Sequence, residues 1–581
     1  MPIYNPPVRD VRFILSEVLR LDERLPSLDN DLVTSILEQA GRFSAEVIAP
    51  LNQTGDRAGC TRHPDGRVTT PPGYREAYRQ YQQSGWGTLA LPEEYGGQGL
   101  PHVLATAVQE FLNSACHAFN MYPGLTHGAV AALIAKGSPD LQAAYLPKLV
   151  SGEWIGTMAL TEERAGTDLG LIKTRAVPTG DDTFMIQGEK IFCSGGEHDL
   201  TDNIVHLVLA KLPGAPAGAR GISLFLVPKI LPNGERNAVT CGSIEHKMGV
   251  HGSATCVMNF DEAAGWLVGD ENDGLAAMFI MMNAARLSCG NQGLAQAELA
   301  YQNAAAYAQE RLQGRAPGSS VDAEPIIRHA DVRRMLMDAR TFTEGFRALV
   351  LWTALQIDIC HTAATAEARD TAEALVSLLT PVIKGYGTDK GFQTAVAMQQ
   401  VFGGHGYIGE WGMEQIVRDA RVTMIYEGAN GVQALDLVAR KILRDGGQAA
   451  EHFFAIVEAD CEAGPDYIGG PLRTALVDAR AAVRWLLQNA AADRDNLGAA
   501  SYPFMELMGT LALGWSWLRI AQVSEVSLRA GEGDRAFYEA KVGVSRYCAA
   551  RTLTDIASLR RKVESGAETL MALSANQFAP H

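Results

Sequence analysis

The spacing of apolar residues changes twice along the chain, and those changes divide it. Residues 36–155 place apolar side chains at helical intervals, as in LVTSILEQAGRFSAEVIAPLN and TAVQEFLNSACHAF. A Pro/Gly-rich insert, GWGTLALPEEYGGQGLP (85–101), interrupts them and reads as a loop. Between 156 and 275 the period falls to two. TMALTE, TRAVPTG, TFMIQGEKIFCSG, NIVHLVLAKL, GISLFLVP and ATCVMNF are short alternating or β-branched runs between turn residues, which predicts a small antiparallel barrel or sandwich. Long helical patterns return over 276–445. A linker near RDGGQAAEH then leads into 446–581, where four further helices can be drawn. The first 35 residues form a short amphipathic lead with Phe13, Ile14, Val18 and Leu19 on its apolar side. The fold class is therefore mainly α with a central β domain.

Composition narrows the function classes. At 581 residues, 47% hydrophobic and 20% charged, the chain has the make-up of an ordinary globular protein with a large core. A net charge of −16 argues against nucleic acid as a partner, because no basic excess exists to displace counterions. Nine cysteines are scattered without a CxxC pair or metal-type spacing, which suggests reduced thiols, a cytoplasmic setting and no metal site. The opening MPIYNPPVRDVRF lacks the charged lead and apolar core of a secretory signal. The apolar stretch FMELMGTLALGWSWLRI (504–520) carries Glu506 and Arg519 and is short for a bilayer, so it reads as a buried helix.

The richest segment for chemistry is 400–431, QVFGGHGYIGEWGMEQIVRDARVTMIYEGANG. Gly403, Gly404 and Gly406 let backbone come close to a flat or phosphorylated ligand. Glu427 follows the apolar run VTMIY, which should set its carboxylate against a poorly solvated wall, raise its pKa and suit it to proton abstraction. The bland alternative is a solvated glutamate at a helix start. GHGYIG (404–409) also fits a dinucleotide fingerprint, but GFQTAVAMQQVF before it reads as a helix and not the strand that a Rossmann unit requires.

The order of these pieces closely resembles the acyl-CoA dehydrogenase family, and the tail beyond 445 is similar to that of its larger branch, which adds a helical C-terminal domain. The resemblance implies a helical N-terminal domain (36–155), a middle β domain (156–275), a helical bundle with the catalytic base (276–445) and an extra helical domain (446–581). It implies FAD as cofactor, Glu427 of the YEG motif as the base, and Tyr426 and Gly428 beside the substrate. MALTEERAGTD (158–168) resembles the family's LTEPxxGSD signature, with Met158, Leu160 and Thr161 toward the flavin and Thr167 toward the substrate; Glu163 and Arg164 stand where Pro-Gly is commoner. EKIFCSGG (189–196) resembles the KxWITNG strand, with Phe192 in the Trp place and Ser194 in the Thr place.

Three further matches complete the set. Asn283 and Arg286 lie one turn apart in MNAARLSCGNQG, where relatives approach the CoA part of the substrate. Arg311 and Gln313 match the ERxQFG segment whose side chains reach the FAD phosphates of a neighbouring subunit. The aromatic of that motif is absent, an insert APGSSVDA follows, and His329 reads equally as a cofactor contact or a packed histidine. Gln400, Gly403 and Gly404 are expected on the adenine side, while Ala429 and Gly431 replace the Thr and Gln of relatives and leave only backbone contact.

The resemblance implies α,β-dehydrogenation of acyl-CoA thioesters in fatty acid β-oxidation or a related catabolic route. Electrons would pass to an electron-transfer flavoprotein, and the assembly would be a homodimer or dimer of dimers. An oxidase that reduces oxygen, and a catalytically silent FAD/CoA-binding scaffold, are the alternatives. Basic residues in SLRRKVESG (558–566) raise the idea of contact with a membrane surface, against a plain helical bundle covering the core; the mixed charge of the tail favours the bundle.

Overall fold

The computed structural model describes residues 2–579 apart from Ser27, Ser319 and Val321. The latter two belong to the APGSSVDA insert, which therefore lies partly outside the described residues. The chain forms two compact units, one of Ala40–Ala285 and one of Pro2–Gln39 with Arg286–His581.

In the first unit, helices Tyr74–Gln83, His102–Ala115, His117–Lys136 and Pro139–Val150 adjoin a β structure. A two-residue ribbon, β1 (Thr61–Arg62) with β2 (Val68–Thr69), stands apart. The main sheet has seven strands: β3 (Trp154–Ala159), β4 (Arg175–Pro178), β5 (Phe184–Ser194), β6 (Asn203–Lys211), β7 (Ile222–Pro228), β8 (Val239–Ile244) and β9 (Thr255–Val268). Its order is β3-β6-β4-β5-β9-β7, β8 adds to β9, and β6 also pairs β7, so five strands close a ring. Closure removes the unpaired edges that invite aggregation. Most pairs are antiparallel as expected, but β3 and β4 each run parallel to β6. The expected runs account for every main strand except β8. VTCGSI is short, half polar and interrupted by Gly242, so it carries little alternation to detect.

The second unit centres on three long helices, the later part of Gly274–Glu310, Ala330–Thr362 and Ala366–Val401. Glycines let two of them approach closely: a Cβ on Gly391 would stand 2.4 Å from the Gly293 carbonyl oxygen. Among the described residues the tail holds five α-helices where four were expected: Gln448–Ala463, Asp466–Asn489, Arg494–Ala530, Arg535–Tyr547 and Asp555–Glu564. The apolar stretch 504–520 is, as expected, the buried middle of one helix. Trp517 Nε1 there donates to the Thr341 carbonyl (2.8 Å), and Trp515 Nε1 donates to Asp460 Oδ2 (2.7 Å). No helix among the described residues is long and apolar enough to cross a membrane.

The N-terminal lead is built into this unit. Phe13, Ile14, Val18 and Leu19 are all buried, and the Phe13 ring meets Phe537 edge-on at 5.2 Å. Beside it sits a buried charge cluster. Arg347 donates to Asp10 (2.6 Å) and Glu298 (2.7 Å), while Lys541 donates to Asp10 and to Glu344 (2.9 Å). Arg340 completes it on Glu344 (2.6 Å). Burial alone would raise the Asp10 pKa, but Lys541 and Arg347 more than reverse this and hold it below the usual carboxylate range. A carboxyl whose folded pKa is lowered stabilises the fold above its unfolded pKa, and that stability is lost as pH falls through the folded value. Asp10→Asn should therefore cost about 3–5 kcal/mol at neutral pH, because it strands buried cations. The measurement is the thermal midpoint of the transition containing the tail helices. An unchanged midpoint at pH 7 would show that the cluster is not stabilising.

Candidate active site

In the first unit the structure joins the two motif segments of the β domain. Ile191 N–H donates to the Thr161 carbonyl (2.8 Å), and Lys190 Nζ donates to the Leu160 carbonyl (3.0 Å) and to Glu162 (2.8 Å). Glu162 also accepts from Lys173 N–H (2.6 Å), Thr174 N–H (3.0 Å) and the Thr174 hydroxyl (2.6 Å). Burial works against charge on Glu162, yet Lys190 and these donors keep its carboxyl below the usual range. Glu163 and Arg164 do not spoil the loop: Glu162 and Ala165 exchange both backbone hydrogen bonds (3.2 and 3.0 Å) around them.

Just beyond Lys190 the pairing of β5 with β9 slips between Lys190 and Cys193, a bulge that re-aims side chains. Phe192 takes a left-handed backbone (φ 58°), and its ring is 59% exposed between half-buried Ile191 and buried Cys193. An exposed aromatic on a strained backbone is costly by about 1–3 kcal/mol and points to use. Ser194 and Thr161 are half-buried, Met158 is buried with Leu160 partly so, and Thr167 is exposed. Met158, Leu160, Thr161, Phe192 and Ser194 thus belong to two adjoining segments, and Thr167 lies in the loop after the first.

In the second unit the helix Met413–Arg421 ends in a 3-10 turn, Val422–Met424, and the chain then reverses at Glu427 and Gly428 with φ of 55° and 86°. Glu427 is the second motif residue held in the left-handed region. Among the described residues only seven non-glycine residues have positive φ, so finding two of them at sequence-derived positions is informative. The turn is braced by Gln433, whose Nε2 donates to the Glu427 (3.2 Å) and Gly428 (3.1 Å) carbonyls. Tyr426 OH donates to Gln292 Oε1.

Glu427 is half-buried, and desolvation raises its pKa to about 7 against an ordinary 4.5; Lys384 and Arg286 oppose the rise. The expectation of a poorly solvated carboxylate is met, and a freely solvated helix start is not what forms. A carboxylate with a pKa near neutrality is matched to taking a proton at physiological pH.

Arg286 sits in a buried ion pair. Its Nη1 lies 3.3 Å from Asp436 Oδ2, whereas Asn283 is exposed one turn earlier. The Arg286 guanidinium is thus turned to Asp436, and its charge also acts on the Glu427 carboxyl. Arg311 and Gln313 are exposed at the head of a loop whose 312–325 bridge closes it. The His329 ring bonds the Gln313 carbonyl (2.8 Å), which ties it to that loop. Gln400, Gly403 and Gly404 are exposed with open space at both glycines, and Gly431 is likewise open. Gly406 is different: a Cβ there would sit 2.3 Å from the Gln399 carbonyl, so its freedom serves the turn itself. Before this turn lies the helix Ala366–Val401, which rules out the dinucleotide fingerprint.

Sequence reasoning missed Lys384, Asn430, Gln433 and the Glu162–Lys190 pair. A signal existed for Lys384: one cation inside the apolar run LLTPVIKGYG, on a helix stretch with no polar face. Glu162 and Gln433 had no such signal, because their partners are distant in sequence.

Four family models match successive stretches of the chain. They are the acyl-CoA dehydrogenase N-terminal domain (residues 33–153), middle domain (157–263) and C-terminal domain (272–443), and an acetyl-CoA dehydrogenase C-terminal-like domain (453–574). The chain belongs to the acyl-CoA dehydrogenase family, in the branch with the additional helical domain, and is an enzyme of that class. It is similar to 3-methylmercaptopropionyl-CoA dehydrogenase of Ruegeria pomeroyi, 43% identical over 98% of this chain and 100% of the relative. The fold is that of Caenorhabditis elegans ACDH-11, solved in complex with C11-CoA (TM-score 0.80, 18% identity, 100% of this chain and 96% of that one). It is also that of a Bacillus anthracis acyl-CoA dehydrogenase complexed with FAD (TM-score 0.75, 19% identity, 96% and 93%).

The raised Glu427 pKa has a stability signature. Between pH 4.5 and about 7 the folded state holds a proton that the unfolded chain has released, so stability falls as pH rises through that window. Glu427→Gln has no such proton and should melt higher than the parent at about pH 8, with the gap closing toward about pH 4. A gap independent of pH would contradict the shift.

Proposed function

We propose that this chain oxidises acyl-CoA thioesters to trans-2-enoyl-CoA with FAD, Glu427 being the base that takes the α-proton. The observation that carries this reading is the Glu427 turn: a carboxylate in a left-handed, doubly braced backbone, half-desolvated, with a pKa of about 7. Strain of this kind persists only where surrounding structure over-determines it.

The residues present fit FAD. In the first unit an exposed aromatic, Phe192, and the half-buried hydroxyl residues Thr161 and Ser194 lie on two segments joined by backbone, which suits a flat ring with a polar edge. In the second unit Gly403 and Gly404 present open backbone. Met158, Leu160, Thr161, Phe192 and Ser194 would hold the ring, and Gln400, Gly403 and Gly404 the adenine side. Arg311 and Gln313 are assigned to the phosphates. Bound FAD supplies the two-electron acceptor for the β-hydrogen.

Glu427 does the proton work. Its carboxylate must be ionised to receive the α-proton, and a pKa near that of the medium keeps a useful fraction ionised without making the base too weak. Tyr426 and Gly428 flank it in sequence and are assigned to the substrate, as are Thr167, Asn283 and Arg286. An electron-transfer flavoprotein is assigned as the downstream acceptor, a homodimer as the assembly and acyl-CoA catabolism by β-oxidation as the setting.

Anaerobic flavin bleaching with butyryl-CoA, longer acyl-CoAs and the methylthio analogue tests the activity; oxygen uptake with peroxide would mark an oxidase instead. Glu427→Gln should slow flavin reduction by at least about a hundredfold, roughly 2.7 kcal/mol in the barrier. Near-normal reduction would remove the base assignment. Because the ionised base is the active form, kcat/KM should climb with pH through a midpoint near the Glu427 pKa of about 7 and level off above it. A profile that instead falls through that range would contradict it.

A further inference from the structure

Among the described residues, Lys384 is a fully buried ammonium with one hydrogen bond, from Nζ to Asn430 Oδ1 (2.8 Å). An ammonium carries three donors, so burial leaves it under-satisfied unless a carboxylate shares its charge. Asn430 is fixed on its other side. Its Nδ2 donates to Asp389 Oδ1 (2.7 Å), the Gly385 carbonyl (3.1 Å) and the Thr388 hydroxyl (2.9 Å). The second Asp389 oxygen accepts from Tyr502 OH, on the tail helix Arg494–Ala530. Asn430 opens the helix that follows the Glu427 turn, three residues after the carboxylate.

Two cations act on Glu427, and they are not equivalent. Arg286 is committed to Asp436, which Arg440 also approaches (3.3 Å). Lys384 makes no ion pair of its own among the described residues: burial lowers its pKa to about 8, and Cys289, Glu427 and Asp389 pull against that fall, so its ammonium form leans on the nearby carboxylates. The other titratable groups that interact with Glu427 are Cys289 and Tyr426, both neutral at physiological pH because burial raises them.

We propose that Lys384 is a positioning residue for Glu427: held by Asn430 and Asp389, its ammonium sets the placement and charge state of the carboxylate, and Tyr502 makes the tail domain part of that arrangement. This rests on Glu427 being the base. The tail then acts on chemistry through one phenol, besides covering the core.

The test uses the full-length holoenzyme with Lys384→Met, Tyr502→Phe and, as a control, Lys441→Met, whose ammonium bonds Ser377 (2.7 Å). Two readouts are taken: the pH midpoint of anaerobic flavin reduction by butyryl-CoA, and the titration of the Glu427 carboxyl by carbon-13 NMR of glutamate-labelled protein, assigned by its loss in Glu427→Gln. Removing the nearby cation should raise both midpoints by about one unit in Lys384→Met. Tyr502→Phe should move them the same way by less, since Asp389 without the phenol draws harder on Lys384. Lys441→Met should leave them in place. If Lys384→Met does not fold, Lys384→Gln, which also removes the charge but keeps a polar head for Asn430, takes its place with the same expected rise, and unmoved midpoints in it overturn the proposal equally. Unmoved midpoints in folded Lys384→Met would overturn the proposal, and unmoved midpoints in Tyr502→Phe would overturn the tail's share. In either case an inactive Glu427→Gln leaves the base reading standing; an active one sinks that reading instead.

Discussion

The hydrogen bond from Lys384 to Asn430 is the point on which the candidate site turns. A buried ammonium is expensive to desolvate, and its one hydrogen-bond acceptor among the described residues belongs to the segment that carries Glu427. The Glu427 backbone is left-handed and would relax if unsupported. Gln433 braces the turn from one side and the Asn430 node anchors the next helix from the other. The carboxylate is half-buried and makes no ion pair among the described residues, and desolvation raises its pKa to about 7.

The β domain uses the same device with different parts. Glu162 and Lys190 form a buried ion pair that fastens the first motif segment to the second. The bulge after Lys190 then turns Phe192 outward on a left-handed backbone. In both units a non-glycine residue occupies a conformation that costs energy, and a buried charged or amide network next to it holds the conformation.

The tail is part of the core of its unit. Asp10, from the N-terminal lead, and Lys541, from the tail, meet over Arg347 in the middle of a central helix. Trp515 and Trp517 are buried along the long tail helix. The basic run near 558–566 serves the bundle too: Arg560 bonds Asp478 and Glu564. That pairing favours the bundle over a membrane-facing surface for this segment.

Much of this was legible in the residues themselves. Period-two runs located six of the seven main strands, and helical periodicity found the long helices, because both patterns are local consequences of one buried face. The apolar run VTMIY before a lone glutamate gave the carboxylate and the sense of its pKa shift. Tertiary structure alone decided the rest. The pairing of Glu162 with Lys190 spans 28 residues, that of Asn430 with Asp389 spans 41, and that of Tyr502 with Asp389 spans 113. Arg286 shows the difference most clearly. Its helical spacing with Asn283 is a local pattern, whereas its burial against Asp436 comes from outside that pattern. Local sequence fixes which way a side chain leaves its helix; what lies in that direction is set by segments the local pattern does not contain.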